Sequence, residues 1–318
     1  LLSIISQICF WDLIFSRIDF KNSYNMKQAI LITAYKNLEH LEKLIQFFED
    51  ESFEIYVHLD KKSEIKKKEL CNLKKYNSLK FFSQKFNVNW GGFNHLKSIL
   101  YLIKKSFENP DIYYFHLISG QDYPIKKKTH FIDFFVGNTK EYIDYFEVPY
   151  GNWKGNGGMD RIEYFNFYDF FNAKNKKENK LIFRIIEFQK KLGFKRKLDS
   201  RTPKIYGGQT WWSLSRNCIG YVLDYTSKNK FLLKRFKYTF CSEEFYIQTI
   251  IMNSIYSKNV TCNCLRYIDW NDRNGNCPAN LDNSDYESLI NSDAFFARKF
   301  ETSISIGLRN NVYEFITK

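Results

Sequence analysis

Three groupings in this chain carry side chains that could do chemistry. In "SDAFFARKFE" (292–301), Arg298 and Lys299 stand side by side among Phe295, Phe296 and Phe300. A guanidinium can grip phosphate oxygens with two parallel bonds, and a lysine adds a point charge. Aromatic neighbours that keep water away would strengthen both contacts. The competing reading is a dibasic pair on the edge of a strand or helix, its stems packed along core aromatics. In "CSEEFYIQTIIMNS" (241–254), Ser242 is a reasonable N-cap, which places Glu243 and Glu244 in the first turn of a helix. The helix dipole favours an ionised carboxylate there, and a general base must be ionised before it can take a proton. Acidic enrichment at an ordinary helix start looks the same. Adjacent carboxylates point to different helix faces, so they do not form a glycosidase-like pair. "FNVNWGG" (86–92) and "YGGQTWW" (206–212) put glycines beside tryptophans. That suits a backbone approached by a flat ligand such as a sugar ring or a base, and equally suits turns beside core aromatics.

Other machinery is missing from the sequence. There is no Gly-x-Gly-x-x-Gly, P-loop, Gly-x-Ser-x-Gly elbow or His-Glu-x-x-His. The five histidines do not cluster with a nucleophile, and no Asp-x-Asp offers a carboxylate pair for a metal-bound nucleotide diphosphate. A phosphate-handling enzyme of this composition would neutralise charge with its own side chains, which favours Arg298 and Lys299.

Periodicity indicates how these residues are positioned. "QAILITAY" (28–35) reads as a buried strand, "LEHLEKLIQFFED" (38–50) as an amphipathic helix and "FEIYVHLD" (53–60) as a second strand ending on Asp60. A third strand and a Gly-terminated loop follow in 79–92, then a helix over 95–107 and a fourth strand over 112–125 with a polar turn at its end. "VPYGNWKGNGGMDRIEYF" (148–165) reads as a long surface loop, 171–203 as helical and basic, and 206–215 as a Gly-led strand. The alternation predicts an α/β fold with a mostly parallel sheet covered on both faces. In such sheets ligands bind beyond the carboxyl ends of the strands. Thr33, Asp60, Trp90 and Asp122 all fall at those ends.

With 44% apolar and 19% aromatic residues, 318 residues can bury a sizeable core. The formal charge of +13 comes largely from lysine runs, read either as solvated surface or as attraction to anionic partners. No helix-turn-helix, zinc-finger or RNA-recognition spacing accompanies it, and nucleic acid is not expected as a partner. The seven cysteines are an odd number and mostly far apart, fitting free thiols in a reducing compartment rather than a disulfide framework or a zinc site. "LLSIISQICFW" is too short to span a bilayer, and Met26 followed by "KQAILITAYK" reads like a natural start. Residues 1–25 are expected to be upstream sequence, an appendage or an extra packing helix, and 26–318 a single domain.

In order along the chain, "VHLDKKS" (57–63), "NWGG" (89–92), "LISGQDYPIK" (117–126), "YGGQTWWSLSR" (206–216), "SEEFYIQTIIMNS" (242–254), "LRYIDW" (265–270) and "FFARKFE" (295–301) resemble the core-2/I-branching β-1,6-N-acetylglucosaminyltransferases. The last third is more similar to peptide O-xylosyltransferases of the same family. The resemblance implies a GT-A-like fold and metal-independent, inverting transfer from a UDP-sugar to a hydroxyl, with no cofactor. It implies Glu244 as the base and Arg298 and Lys299 in place of a metal at the diphosphate, with Arg266 as a second diphosphate contact. Asp60, Trp90, Asn89, Val88 and Thr33 would line the nucleotide pocket. Thr210, Trp211, Gly208 and Asp122 would lie beside the donor sugar or acceptor, and Glu147, Lys154 and Arg161 on the acceptor side. Thr210 stands where xylosyltransferases carry an acidic residue, which favours N-acetylglucosamine over xylose as donor. Neither a signal anchor and stem nor the paired lumenal cysteines of the animal enzymes is visible. The expectation is therefore a bacterial-type cytoplasmic enzyme acting on surface polysaccharide or lipid-linked glycans, peripheral at the inner face of the membrane. Two other classes remain open at this point: a non-catalytic glycan-binding module, and an anionic-polymer binder driven by charge.

Overall fold

The computed structural model describes residues 26–65 and 67–318; the expected appendage, 1–25, lies outside the described residues. The first strand, β1 (Lys27–Ala34), carries Ala29, Ile30, Leu31 and Ile32, all fully buried. An unbroken apolar run of this kind marks a strand covered on both faces. β1 lies parallel to β2 (Phe53–Leu59) and to β4 (Ile112–Ser119), and β2 is parallel to β3 (Leu79–Ser83). Beyond β4 the sheet changes direction. β9 (Trp212–Ser215) runs antiparallel to both β4 and β6 (Glu141–Ile143), and β10 (Val260–Thr261) closes the edge beside β6. The order β10-β6-β9-β4-β1-β2-β3 gives a seven-stranded, mostly parallel sheet, the expected α/β architecture.

Helices cover both faces. Against one face pack α1 (Leu38–Phe47), α3 (Lys128–Phe135) and α8 (Thr302–Thr317), through Leu41, Leu44, Phe131, Phe135, Leu308 and Val312. Against the other pack α2 (Phe93–Phe107), α5 (Arg216–Lys228), α6 (Lys230–Phe236) and α7 (Tyr246–Met252). One further helix, α4 (Lys176–Lys191), lies at the surface and buries only Ile182 and Gln189.

Two local expectations are corrected. The strand predicted over 112–125 is two strands. β4 ends at Ser119, the chain turns at Gly120, and β5 (Asp122–Pro124) joins a second small sheet, ordered β11-β12-β5, with β11 (Arg266–Ile268) and β12 (Phe296–Arg298). A side chain at position 120 would have its Cβ 2.8 Å from that of Ala34, so glycine lets the turn close against β1. The stretch 148–165 is not a structureless loop. It folds into a left-handed turn at Lys154–Gly157, with Gly155 and Asn156 at positive φ, and a short helical turn at Asp160–Glu163. Gly158, at φ +87°, faces the Trp153 ring at a distance no Cβ could share. The glycines let the loop fold on itself and bring Arg161 inward.

Candidate active site

β12 is flanked by β11 on one side and β5 on the other, with Arg298 in register with Ile268 and Asp122. The Arg298 Nε lies 3.1 Å from Asp122 Oδ1, and its guanidinium sits 4.2 Å from the Trp211 ring centre. Burial holds the Arg298 charge below its ordinary affinity for the proton, while Asp122 supports it. Lys299 follows directly. Burial and the adjacent Arg298 push its pKa down to about 8. Phe295, Phe296 and Phe300 all point into the core. The aromatic that touches Arg298 is therefore Trp211, eighty-seven residues away in sequence, and not a neighbour in "FFARKFE".

Two residues expected at the ligand, Asp122 and Arg266, are engaged by protein groups here. Asp122 is fully buried. Burial raises its pKa, and the Arg298 charge and the backbone N–H of Ser119 oppose that rise. It positions Arg298 and has no surface to offer a sugar or an acceptor. Arg266 is likewise committed. Its Nη1 donates to Ser213 Oγ (2.8 Å) and to the Cys264 carbonyl, and its Nη2 to the carbonyls of Leu117 (2.9 Å) and Trp212 (2.8 Å). It staples the small sheet to β4 and β9 and leaves no Nη donor for a diphosphate.

The acidic side of the cleft also differs from expectation. Ser242–Glu244 is a separate 3-10 turn ahead of α7, entered through Cys241 in the left-handed region (φ 51°). Ser242 makes no capping bond, and its hydroxyl is buried without a partner. Glu243 and Glu244 therefore stand before the helix and not in its first turn. The two carboxylates do diverge. Glu243 Oε1 lies 3.0 Å from His95 Nδ1, and His95 Nε2 is 3.4 Å from Thr33 Oγ1. Arg161 Nη1 donates to Glu244 Oε2 at 2.6 Å, with the Arg161 guanidinium 3.8 Å from the Trp153 ring centre. The Glu244 pKa is pushed up to about 7, by burial first and by the Glu243 charge, with Arg161 opposing. This is the reverse of the shift that a helix dipole would give. A carboxyl balanced near neutrality can both exist as a base and hold a proton once it has taken one. Glu244 is also within electrostatic reach of Arg298, whose charge it supports, so the acid and the Arg298 guanidinium lie near one another.

The third wall is the rim predicted from the strand ends. Asp60, just past β2, accepts the backbone N–H groups of Lys62 (3.0 Å) and Val88 (3.1 Å) on one carboxylate oxygen. Lys62 Nζ lies 3.8 Å from the other oxygen and also donates to the Val88 carbonyl and to Asn89 Oδ1. Asn89 Nδ2 donates to the Tyr168 carbonyl at 2.8 Å. Trp90 is largely exposed, edge-on to Phe240. Thr210 and Trp211 are buried, Trp211 under the Arg298 guanidinium. Gly208 donates its N–H to the Glu244 carbonyl at 2.9 Å, and a Cβ there would sit 2.0 Å from the Asp144 carbonyl oxygen. Its place is a close backbone approach under Glu244. Glu147 points outward and pairs with Lys204 at 2.6 Å, and Lys154 is exposed. Of the three acceptor-side candidates, Arg161 alone among the described residues touches Glu244.

Sequence reasoning missed His95, Glu243 and Trp153. His95 and Glu243 are 148 residues apart and meet only because α2 and the 3-10 turn pack together. Trp153 carried a visible signal, an aromatic inside the Gly-rich segment. Among the described residues no group of three or more His, Cys, Asp or Glu side chains is placed to hold a metal ion, and no helix is long and apolar enough to cross a membrane. A depression of about 290 Å³ at the amino-terminal ends of β1, β2 and β3, lined by Lys27, Glu49 and Lys80 among others, is remote from all these groups.

Residues 29–291 match the family described as Core-2/I-Branching enzyme. The chain belongs to the core-2/I-branching enzyme family. Its sequence is similar to human xylosyltransferase 2, with 23% identity over 296 residues, covering 87% of this chain and 32% of the relative. It is also similar to the β-glucuronosyltransferase GlcAT14A of Arabidopsis thaliana, with 30% identity over 99 residues, covering 30% of this chain and 22% of that protein. Among solved structures it is similar to the apo form of the bifunctional glycosyltransferase WbbM, with a TM-score of 0.39 and 12% identity over 93% of this chain and 52% of the other. The chain spans about a third of the length of the xylosyltransferases it matches. This core-2/I-branching family member thus falls in a family whose named relatives are glycosyltransferases.

Proposed function

We propose that this chain transfers a sugar from a UDP-sugar to a hydroxyl of a glycan or lipid-linked saccharide, inverting the anomeric centre. N-acetylglucosamine is the favoured donor sugar, with xylose or another UDP-sugar as the alternatives. The observation that carries this reading is that Glu244, bonded to Arg161, lies within electrostatic reach of Arg298, which Asp122 and Trp211 hold just past the carboxyl ends of the parallel strands. The acceptor O–H gives its proton to the Glu244 carboxylate. Its oxygen forms the new bond to the anomeric carbon, and the bond from that carbon to the diphosphate breaks on the opposite side. UDP leaves with the electron pair. Arg298, held by Asp122 and Trp211, and Lys299 stabilise the charge developing on it. Preorganised donors aimed at such charge are each worth roughly 10²–10³ in rate. Asp60, Val88, Asn89 and Trp90 form the nucleotide wall, and Lys62 gives it a further cation. The two side-chain cations of Arg298 and Lys299 suit a reaction that needs no metal and no cofactor.

The test is UDP release over a panel of UDP-sugars with saccharide acceptors, in the presence and absence of EDTA. Transfer is expected to survive EDTA, and Glu244→Gln to abolish transfer while UDP binding by calorimetry is retained. A strict Mn²⁺ requirement would reject the side-chain leaving-group model. Full activity of Glu244→Gln would reject the base. A peripheral seat at an anionic membrane belongs to the same proposal through its lipid-linked acceptor.

A further inference from the structure

Surface helices normally turn their apolar residues inward and their charges out. Helix α4 departs from this. Its inward face is secured by Ile182 and by Gln189, whose side chain bonds the backbone N–H (2.8 Å) and carbonyl (3.1 Å) of Phe165. On the opposite face, Lys177, Leu181, Arg184, Phe188 and Lys191 recur at steps of four, three, four and three. That spacing is one stripe of an α-helix, with cation and apolar residue alternating along it. Phe188 is 62% exposed, Leu181 40% and Leu192, at the stripe's end, 65%. Lys176, Lys177, Lys180, Arg184 and Lys191 are exposed, and among the described residues only Lys190 of the helix's cations is ion-paired, to Asp160 and Glu187. The N-terminus is capped by Asn175, which accepts from Lys177 and Glu178 N–H, so the helix is a formed element.

We propose that this outward face of α4 docks on an anionic lipid surface. The two residue types call for two environments at one level. Leu and Phe gain by leaving water for the acyl boundary, and long Lys and Arg stems reach back from that depth to negative headgroups. A polyanion without an apolar phase would reward the cations only and leave the Phe and Leu side chains in water. The helix is also wired to the cleft. Lys190 holds Asp160, the neighbour of Arg161, at 3.2 Å, and Glu178 accepts the N–H of Asn172 at 2.6 Å, in the same loop whose Tyr168 carbonyl binds Asn89. Docking through α4 therefore bears on the segment that carries Arg161, whose guanidinium holds Glu244. The inference rests on the proposed reading for its acceptor class, and on the surface alone for lipid binding.

The experiment is flotation of the chain with vesicles of phosphatidylglycerol, of an equimolar phosphatidylglycerol–phosphatidylcholine mixture, and of phosphatidylcholine alone. UDP release with a water-soluble acceptor is measured in parallel. Binding is expected to rise with phosphatidylglycerol content and to weaken with salt. Phe188→Ser should lower partitioning about tenfold. Lys177→Glu with Arg184→Glu should do so by a similar factor. Both variants should melt like the native chain and keep soluble-acceptor activity. Equal binding to all three vesicles, or unchanged binding by the Phe variant, overturns the proposal. So does tighter binding to a DNA duplex than to phosphatidylglycerol. Lipid binding without UDP release would leave the docking surface standing and remove the enzymatic reading; UDP release without lipid binding would do the opposite.

Discussion

Arg161→Met tests the electrostatics of the cleft. The substitution keeps a stem of similar length over Trp153 and removes the charge 2.6 Å from Glu244. Both side chains are mostly shielded. An opposite charge at this range lowers a carboxyl pKa by about 1–3 units; the residual solvent access places the effect near the lower part of that range, roughly 1–2 units, or about 1.4–2.8 kcal/mol. Glu244 stands at about 7 with Arg161 present. Without it the acidic limb of kcat/KM against pH should move to roughly 8–9. At pH 7 the ionised fraction would fall from about a half to roughly 1–10%, a loss of about 5–50-fold. Activity should recover only in part at higher pH, because Lys299 loses its proton around 8. The native profile is then a bell, rising as Glu244 ionises through about 7 and falling as Lys299 neutralises through about 8. The assay is kcat/KM for UDP release from acidic to alkaline pH, for both proteins. An acidic limb that stays put, or a loss equal at every pH, would refute the coupling and make Arg161 a contact for the acceptor only.

Arg298→Ala and Lys299→Ala should each lower kcat by roughly 10²–10³ and weaken UDP in calorimetry; unchanged UDP affinity in both would remove them from the diphosphate. Arg266→Met should leave UDP affinity intact in the folded fraction and cost about 3 kcal/mol or more in urea unfolding, since several buried acceptors lose their donor together. A stable protein with weak UDP binding would restore Arg266 to the ligand site. Gly208→Ala should destabilise by about 3 kcal/mol because its Cβ would meet the Asp144 carbonyl at 2.0 Å; unaltered unfolding would show that the Asp144 loop yields.

Much of this arrangement was legible in the chain itself. Runs such as "AILI" and "FEIYVHL" state a doubly covered strand directly, because burial on both faces selects apolar residues at every position. Strand ends then gather Thr33, Asp60 and Trp90 on one rim without further information. The candidate charged residues Glu244 and the Arg298–Lys299 pair are visible as residue types as well. What could not be read was partnership. Arg266 and Arg298 are both arginines on short strands of one sheet. One is consumed by three carbonyls and a serine, and the other is left facing the cleft on Trp211. Asp122 looks like a site residue until its burial shows that it serves Arg298.

The sequence by itself determined the layered α/β fold, the rim and the residue types present on it, because periodicity and strand ends are local properties of the chain. Only the tertiary structure decided which charge answers which. It buried Glu244 beside Glu243, which lifts its pKa, and set Arg161 against it, which holds the value at about 7. A pKa depends on burial and on charges within a few ångströms, and the cation that answers Glu244 here lies 83 residues away along the chain.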